Sequence, residues 1–284
     1  MDIINERKEA DLPGKILSII TINKNNVTGL EKTIQSVICQ TFTDFEYIII
    51  DGASDDNSVE IIKKYADKID SWVSEPDTGI YNAMNKGIRK AQGKYCLFLN
   101  SGDWLINNTT LTEVFDEISH TEEAGIYYTD CIATNHPLFQ PPKSIDINYI
   151  VVHNLNHQNT LIKRSLFIEH GLYNEKFRIT SDYEFWLKEF WIHKTKFIYI
   201  NTKIAIYDSF GISSLTNYDS ELEDSVRSVF KDLSEPLIKL RRYSHSIYGT
   251  IVETYGYSGF LDFCLKVYRF ILKKTKKTNS NKHR

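Results

Sequence analysis

The sequence predicts an α/β protein with a mostly parallel central sheet and a helical C-terminal extension. Three observations carry that reading. Short β-branched runs alternate with segments of helical apolar spacing through the first hundred residues. The runs are four to nine residues long and apolar throughout, the pattern of strands buried on both faces. They end abruptly in loops of Asp, Asn, Ser and Gly, as strands of βαβ units do.

Each element follows in order. Lys15 to Asn23 (KILSIITIN) reads as the first strand, and Gly29 to Cys39 as a helix with Leu30, Ile34, Val37 and Ile38 on one face. Phe45 to Asp51 is a second strand that stops at the polar loop GASDDNS. Val59, Ile61, Ile62 and Tyr65 mark a helix, Ser71 to Ser74 a short strand, Tyr81 to Ala91 a helix and Lys94 to Asn100 a fourth strand. Beyond it, Gly125 to Cys131 and Lys196 to Asn201 read as strands. Thr180 to Lys194 reads as an aromatic helix capped by Thr180 or Ser181. From about Asn217 the pattern is helical and charged, so residues 1–215 are expected to form the catalytic domain and 216–284 the extension.

Composition excludes several classes. The chain has 284 residues, 42% apolar and 25% charged, with 34 Lys+Arg against 37 Asp+Glu and a net charge of −3. That describes a globular protein and argues against a nucleic-acid partner, which would select a basic surface. No run is long and apolar enough to span a bilayer, and no secretory signal is visible. Cys39, Cys96, Cys131 and Cys264 are scattered without a C-x-x-C pair, which fits buried thiols in a reduced, cytoplasmic compartment. The charge is uneven: residues 269–284 hold seven Lys/Arg and no acid, leaving 27 basic against 37 acidic residues in the remainder.

In parallel α/β sheets ligands bind beyond the carboxyl ends of the strands. Here those ends carry Thr21 to Asn23, Asp51, then Glu75 and Asp77, then Asp103 of NSGD. Any one of these could be a loop former or helix cap. Together they point to a functional rim. There is no G-x-G-x-x-G after the first strand, no P-loop motif and no G-x-S-x-G, which sets aside dehydrogenases, P-loop NTPases and α/β-hydrolases. His153 and His157 are four apart but lie in no helical or H-E-x-x-H context. Asp103 can place one hard oxygen on Mg²⁺ or Mn²⁺. Asp182 and Glu184, opening the aromatic helix, diverge by roughly 200° and cannot both face one cleft.

The strings ILSIITINKNN, YIIIDGASDDNS and SEPDTGIYNAMNKGIRKAQGKYCLFLNSGDWL resemble glycosyltransferase family 2 of the GT-A fold (Rossmann-like), in particular bacterial enzymes of colanic acid, capsule and O-antigen synthesis. HQNTLIKRSLF and TSDYEFWL follow in matching order, and the resemblance covers about Lys15 to Ser214. It implies that Thr21 and Asn23 line the nucleotide pocket and that Asp51 meets the base, with Gly52 where relatives often have a second acid. Asp77, Gly79, Asn85 and Lys86 would meet the nucleotide and diphosphate. Asp103 matches the last acid of the metal-binding D-x-D motif, with Ser101 in the place of the first. Asp182 matches the catalytic base of the E-D motif, with Ser181 in the Glu position. His157, Gln158 and Glu184 would lie near donor sugar and acceptor.

The function implied is inverting transfer of a sugar from a nucleotide-diphosphate donor, of the UDP-hexose or UDP-N-acetylhexosamine class, to a saccharide hydroxyl. The acceptor would be lipid-linked, the divalent metal Mn²⁺ or Mg²⁺. Ser258 to Lys274 spaces Asp262, Lys266, Arg269 and Lys273 as a narrow polar stripe on an apolar helix, followed by KKTKK. It could pack on the catalytic domain, or lie in the plane of an anionic inner-membrane surface and make the enzyme peripheral there. Two other readings stand beside the transferase: a sugar-phosphate nucleotidyltransferase, whose Gly-rich basic triphosphate loop is missing after Ile22, and a non-catalytic, membrane-docked sugar-binding protein.

Overall fold

The computed structural model describes residues 14–134, 138–209 and 219–244. Its first half runs β1 (Leu17–Asn23), α1 (Val27–Ile38), β2 (Phe45–Asp51), α2 (Ser58–Lys64), β3 (Ser71–Ser74), α3 (Ile80–Lys90) and β4 (Tyr95–Phe98). These are the expected βαβ units. The second half is more broken: β5 (Trp104–Leu105), α4 (Thr110–Ser119), β6 (Ile126–Tyr128), β7 (Ile132–Ala133), α5 (Ile147–Val152), β8 (Thr160–Lys163), α6 (Arg164–His170), α7 (Ser181–Lys188), β9 (Phe197–Tyr199), β10 (Ala205–Tyr207) and α8 (Asp219–Phe230).

Among the described residues seven strands form the main sheet in the order β3-β2-β1-β4-β8-β6-β9. Only β8 runs against its neighbours, so the sheet is mostly parallel. All of β1 is buried because both faces are covered. One face packs Leu17, Ile19, Tyr47, Ile49 and Leu97 against Leu30, Ile34 and Val37 of α1. Burial of a branched side chain of this kind is worth about 1.5–3 kcal/mol, which makes this strand the anchor of the domain.

Register positions the site. Asn23 stands opposite Asp51 and Asp51 opposite Ser74, so β1, β2 and β3 end on one line. A second, three-stranded sheet, β5-β10-β7, was not legible in the sequence. Its antiparallel pairing of Ile206 with Trp104 brings the residues after β10 back beside the Ser101–Asp103 loop.

Several expectations need correction. The aromatic helix is α-helical only from Ser181 to Lys188 and then makes a π turn, Glu189–His193. Neither candidate cap works as expected: Thr180 makes no capping bond, and Ser181 Oγ accepts from the backbone N–H of Asn174. Cys96 and Cys131 are buried, but Cys39 is exposed. By compactness the chain divides after Val229, and Glu221, Ser225 and Ser228 of α8 bond to the 178–184 segment. Among the described residues no helix is long and apolar enough to cross a membrane. The amphipathic stretch 258–274 lies outside the described residues.

Candidate active site

The strand-end register gathers a buried polar row. Asp51, fully buried, accepts from Asn23 Nδ2 at 2.7 Å, Ser74 Oγ at 2.6 Å, Ser54 Oγ at 2.6 Å and the Ser54 N–H at 2.9 Å. Burial alone would raise its pKa; the donors outweigh it and hold the carboxyl below the usual range. Asp51 is therefore an ionised wall group behind Asn23. Thr21 is not brought to the cleft, since its hydroxyl turns inward to Tyr47 at 3.1 Å.

In front of this row lies an open cleft of about 400 Å³. Asn23, Lys24 and Asn26 form one wall, Asp77 and Gly79 the other, and Asn100, Ser101 and Arg178 close it. Asp77 accepts the Gly79 N–H at 3.0 Å and leans over Gly52. A Cβ at Gly52 would meet that carboxylate, so the glycine in the place of the second acid makes room for Asp77. Gly79 starts α3 with no side-chain cap, leaving amide N–H groups and the positive end of the helix dipole toward the cleft. Sequence reasoning missed Arg178, whose guanidinium has no hydrogen-bond or ion-pair partner among the described residues. Its signal was a basic residue just ahead of the Asp182 helix. Asn23 Oδ1 and Asn100 Oδ1 are buried without a hydrogen-bond partner among the described residues, which leaves two acceptors for a ligand's donors.

Asn85 and Lys86 do something other than contact this cleft. Asn85 is buried, donates to the Tyr173 carbonyl at 2.9 Å and to Glu175 at 2.8 Å, and accepts the Tyr173 N–H at 3.1 Å. Lys86 holds Glu75 and the Pro76 carbonyl, each at 2.8 Å. Both residues shape the loops that frame the cleft.

Asp103 is buried next to it. It accepts the N–H of Asn100 at 3.0 Å and of Asp208 at 2.9 Å, and Gln158 also bonds to it. Burial pushes its pKa up to about 6 despite these donors. Gly102 adopts φ +109°, a left-handed conformation that favours glycine, and a Cβ there would stand 3.3 Å from an Asp208 carboxylate oxygen. Asp208 thus supplies, from the second sheet, an acid beside the D-x-D loop whose first position is Ser101. A carboxylate raised by desolvation, with a second carboxylate close by, suits a hard divalent cation. The lone Asp208 after a three-residue strand gave no sequence signal.

Asp182, 5% exposed, opens α7. Its Oδ1 accepts the Tyr183 N–H at 2.8 Å and lies 2.9 Å from the Tyr81 hydroxyl, whose one proton is shared with the Ile179 carbonyl at 2.5 Å; Oδ2 faces His157 Nδ1 at 3.3 Å. Asn100 Nδ2 lies 3.1 Å from His157 Nε2 and can only donate there, so Nδ1 carries the imidazole proton. A chain of contacts thus links Asp182 through His157 to Asn100 in the cleft wall. Glu184 is not part of it. It points to the opposite side of α7, paired with Lys188 at 2.9 Å and bonded to Ser228 at 2.9 Å, as the 200° separation required.

Comparison with known proteins identifies the fold and the family. The family model for glycosyl transferase family 2 matches residues 18–183. A "PGL/p-HBAD biosynthesis glycosyltransferase" of Mycobacterium bovis is 31% identical over 212 residues, covering 72% of this chain and 82% of its own length. An uncharacterised glycosyltransferase of Rickettsia prowazekii is 25% identical, covering 87% of this chain and 81% of its own. Among solved structures, TarS of S. aureus in complex with UDP-GlcNAc superposes with a TM-score of 0.65 at 16% identity, covering 84% of this chain and 76% of that one. The Pyrobaculum calidifontis mannosyltransferase PcManGT, in complex with GDP-Man and Mn²⁺, gives 0.58 at 13% identity, covering 93% and 82%. The fold is GT-A, and the nucleotidyltransferase reading falls away. The chain belongs to glycosyl transferase family 2.

Proposed function

We propose that this protein is an inverting transferase that moves a hexosyl or N-acetylhexosaminyl group from a UDP sugar to a hydroxyl of a lipid-linked saccharide, in bacterial surface polysaccharide synthesis. The observation that carries the proposal is the Asp182–His157–Asn100 chain, which couples one buried carboxylate to a cleft lined both by the acceptor groups of Asn23 and Asn100 and by the cations of Lys24 and Arg178.

In this reading the nucleoside packs toward Asn23 and Asp77, with Asn23 Oδ1 accepting a base N–H. The diphosphate lies near Arg178 and the amides opening α3, which meet the negative charge that grows on the leaving group. Asp182 takes the proton of the acceptor hydroxyl at Oδ2 as that oxygen attacks the anomeric carbon. Tyr81 and the Tyr183 N–H hold Oδ1, so the carboxylate arrives already oriented. With one carboxylate acting as base in a single displacement, the anomeric centre inverts. Asp103 and Asp208 would hold Mn²⁺ or Mg²⁺, which when bound neutralises charge on the departing diphosphate. The amphipathic, basic stretch in 258–284 would keep the enzyme at an anionic inner-membrane surface, where a lipid-linked acceptor is found.

Thermal-shift titration with UDP, GDP and their sugar conjugates, with and without Mn²⁺, tests the donor class, because at equal concentration the ligand of higher affinity stabilises the fold more. The proposal expects UDP and a UDP-sugar to raise Tm together with Mn²⁺. A rise with GDP compounds alone would overturn the UDP reading. Product analysis by NMR must then give a β-linkage from an α-linked donor.

A further inference from the structure

The Glu189 carboxylate lies wholly inside the protein at the start of the π turn that follows α7. Its oxygens face His170 Nδ1 at 2.9 and 3.1 Å, and one also accepts from the Thr195 hydroxyl. His193, four residues on, stacks on the His170 ring with centroids 3.6 Å apart and planes 5° from parallel. One ligand atom from each of the three side chains falls within 4.8 Å of the other two.

A carboxylate taken out of water needs a positive partner. Among the described residues no lysine or arginine pairs with Glu189. The two lysines flanking the turn are engaged elsewhere: Lys188 with Glu184 at 2.9 Å, and Lys194 over the Trp191 ring at 4.3 Å. An imidazole is a cation only when protonated, whereas a divalent ion is always one. Two imidazoles and one carboxylate are a donor set for zinc and the late first-row divalent ions rather than for Mg²⁺ or Ca²⁺, which prefer all-oxygen shells. Glu189 and His193, at i and i+4, lie on one side of their turn, the spacing that presents two ligands to one ion. His193 is exposed and can rotate off the stack to aim a ring nitrogen inward.

We infer that His170, Glu189 and His193 form a zinc-class divalent cation site, with water in the fourth position. It joins the end of α6 to the turn after α7, and so fastens the far end of the helix whose first turn carries Asp182. The ligands share no residue with the Asp103 and Asp208 pair, and the inference does not depend on the donor or acceptor assigned above.

The test uses the full-length chain, stripped with a chelator and returned to chelator-free buffer, in thermal-shift titrations with Zn²⁺ and with Mg²⁺. Zinc at a hundredfold excess over Kd should raise Tm by roughly 4–5 °C for a protein of this size, and Mg²⁺ should not reproduce the rise. The zinc response should persist in Asp103→Asn and disappear in His193→Ala, a surface change that leaves the fold intact, and in His170→Gln. No zinc response in the wild type, an equal response in His193→Ala, or one lost only in Asp103→Asn would each overturn the inference.

Discussion

Replacing Asp182 with Asn separates chemistry from folding at this site. The amide keeps a carbonyl oxygen where Oδ1 lies 2.9 Å from the Tyr81 hydroxyl and accepts the Tyr183 N–H at 2.8 Å. Its new N–H₂ group faces His157, whose contact with Oδ2 is already long at 3.3 Å. The Nδ1–H of His157 then meets a donor in place of an acceptor, so the folding change is about 1–3 kcal/mol, a Tm shift of about 2–5 °C. The loss of a general base costs 10²–10⁴ in rate, about 3–5.5 kcal/mol of barrier. The second figure exceeds the first, so activity should fall while the fold persists. The assay is release of UDP from a UDP-sugar, with membrane lipid extract or water as acceptor, beside the Kd for UDP by calorimetry. We expect kcat to drop at least a hundredfold with the Kd for UDP changed less than threefold. A kcat within tenfold of wild type would refute the base assignment. A matching loss of UDP affinity would show instead that the residue maintains the cleft.

Other outcomes follow from the same geometry. Asp51→Ala strands the donors of Asn23, Ser54 and Ser74, so UDP affinity should fall at least tenfold in calorimetry, along with about 2–4 kcal/mol of stability in urea unfolding. Arg178→Ala removes a cation with no hydrogen-bond or ion-pair partner among the described residues; Tm should hold within about 2 °C while kcat/KM falls at least tenfold, and Arg178→Lys should recover only part of it. Asp103 titrates near 6 in the fold and near 3.9 unfolded, so the metal-free protein binds the proton more tightly when native. Its stability from this group is present at low pH and is lost as pH rises from about 4 to about 6. Mn²⁺ must displace that proton, so the Mn²⁺-induced rise in Tm should grow from pH 5 to 7 and flatten above, and Asp103→Asn should abolish the growth. Asn85→Ala should cost about 2–3 kcal/mol in denaturant unfolding by releasing the Tyr173–Glu175 segment.

Much of the fold was legible because the first hundred residues repeat one physical unit. Apolar runs buried on both faces have no polar alternation and can only be interior strands, and the helical spacing between them fixes parallel crossovers. The second half resisted because its strands are two to four residues long, too short for a period of two to register. Their pairing depends on contacts far apart in sequence, such as Ile206 with Trp104.

The site divides along the same line. Local motifs and strand ends marked Asn23, Asp77, Gly79 and Ser101, which line the cleft, and Asp51, Asp103, His157, Gln158 and Asp182, which lie behind it in contact with one another or with its wall. Motif position could not say which way a side chain turns. Thr21 is drawn inward by Tyr47, Asn85 and Lys86 are spent on neighbouring loops, and Glu184 is turned away by the 100° step of its helix. The reverse holds for Asp208, which carries no local signature, and for Arg178 and Tyr81, whose neighbouring motifs do not say that they turn toward the site. The net charge of −3 likewise has two parts, an acidic body and a basic end, and the order of charges along the chain assigns each its place. The sequence by itself determined the layered α/β plan, because burial periodicity is a local property. Only the tertiary structure decided which polar groups face the cleft, because hydrogen bonds between distant segments orient them.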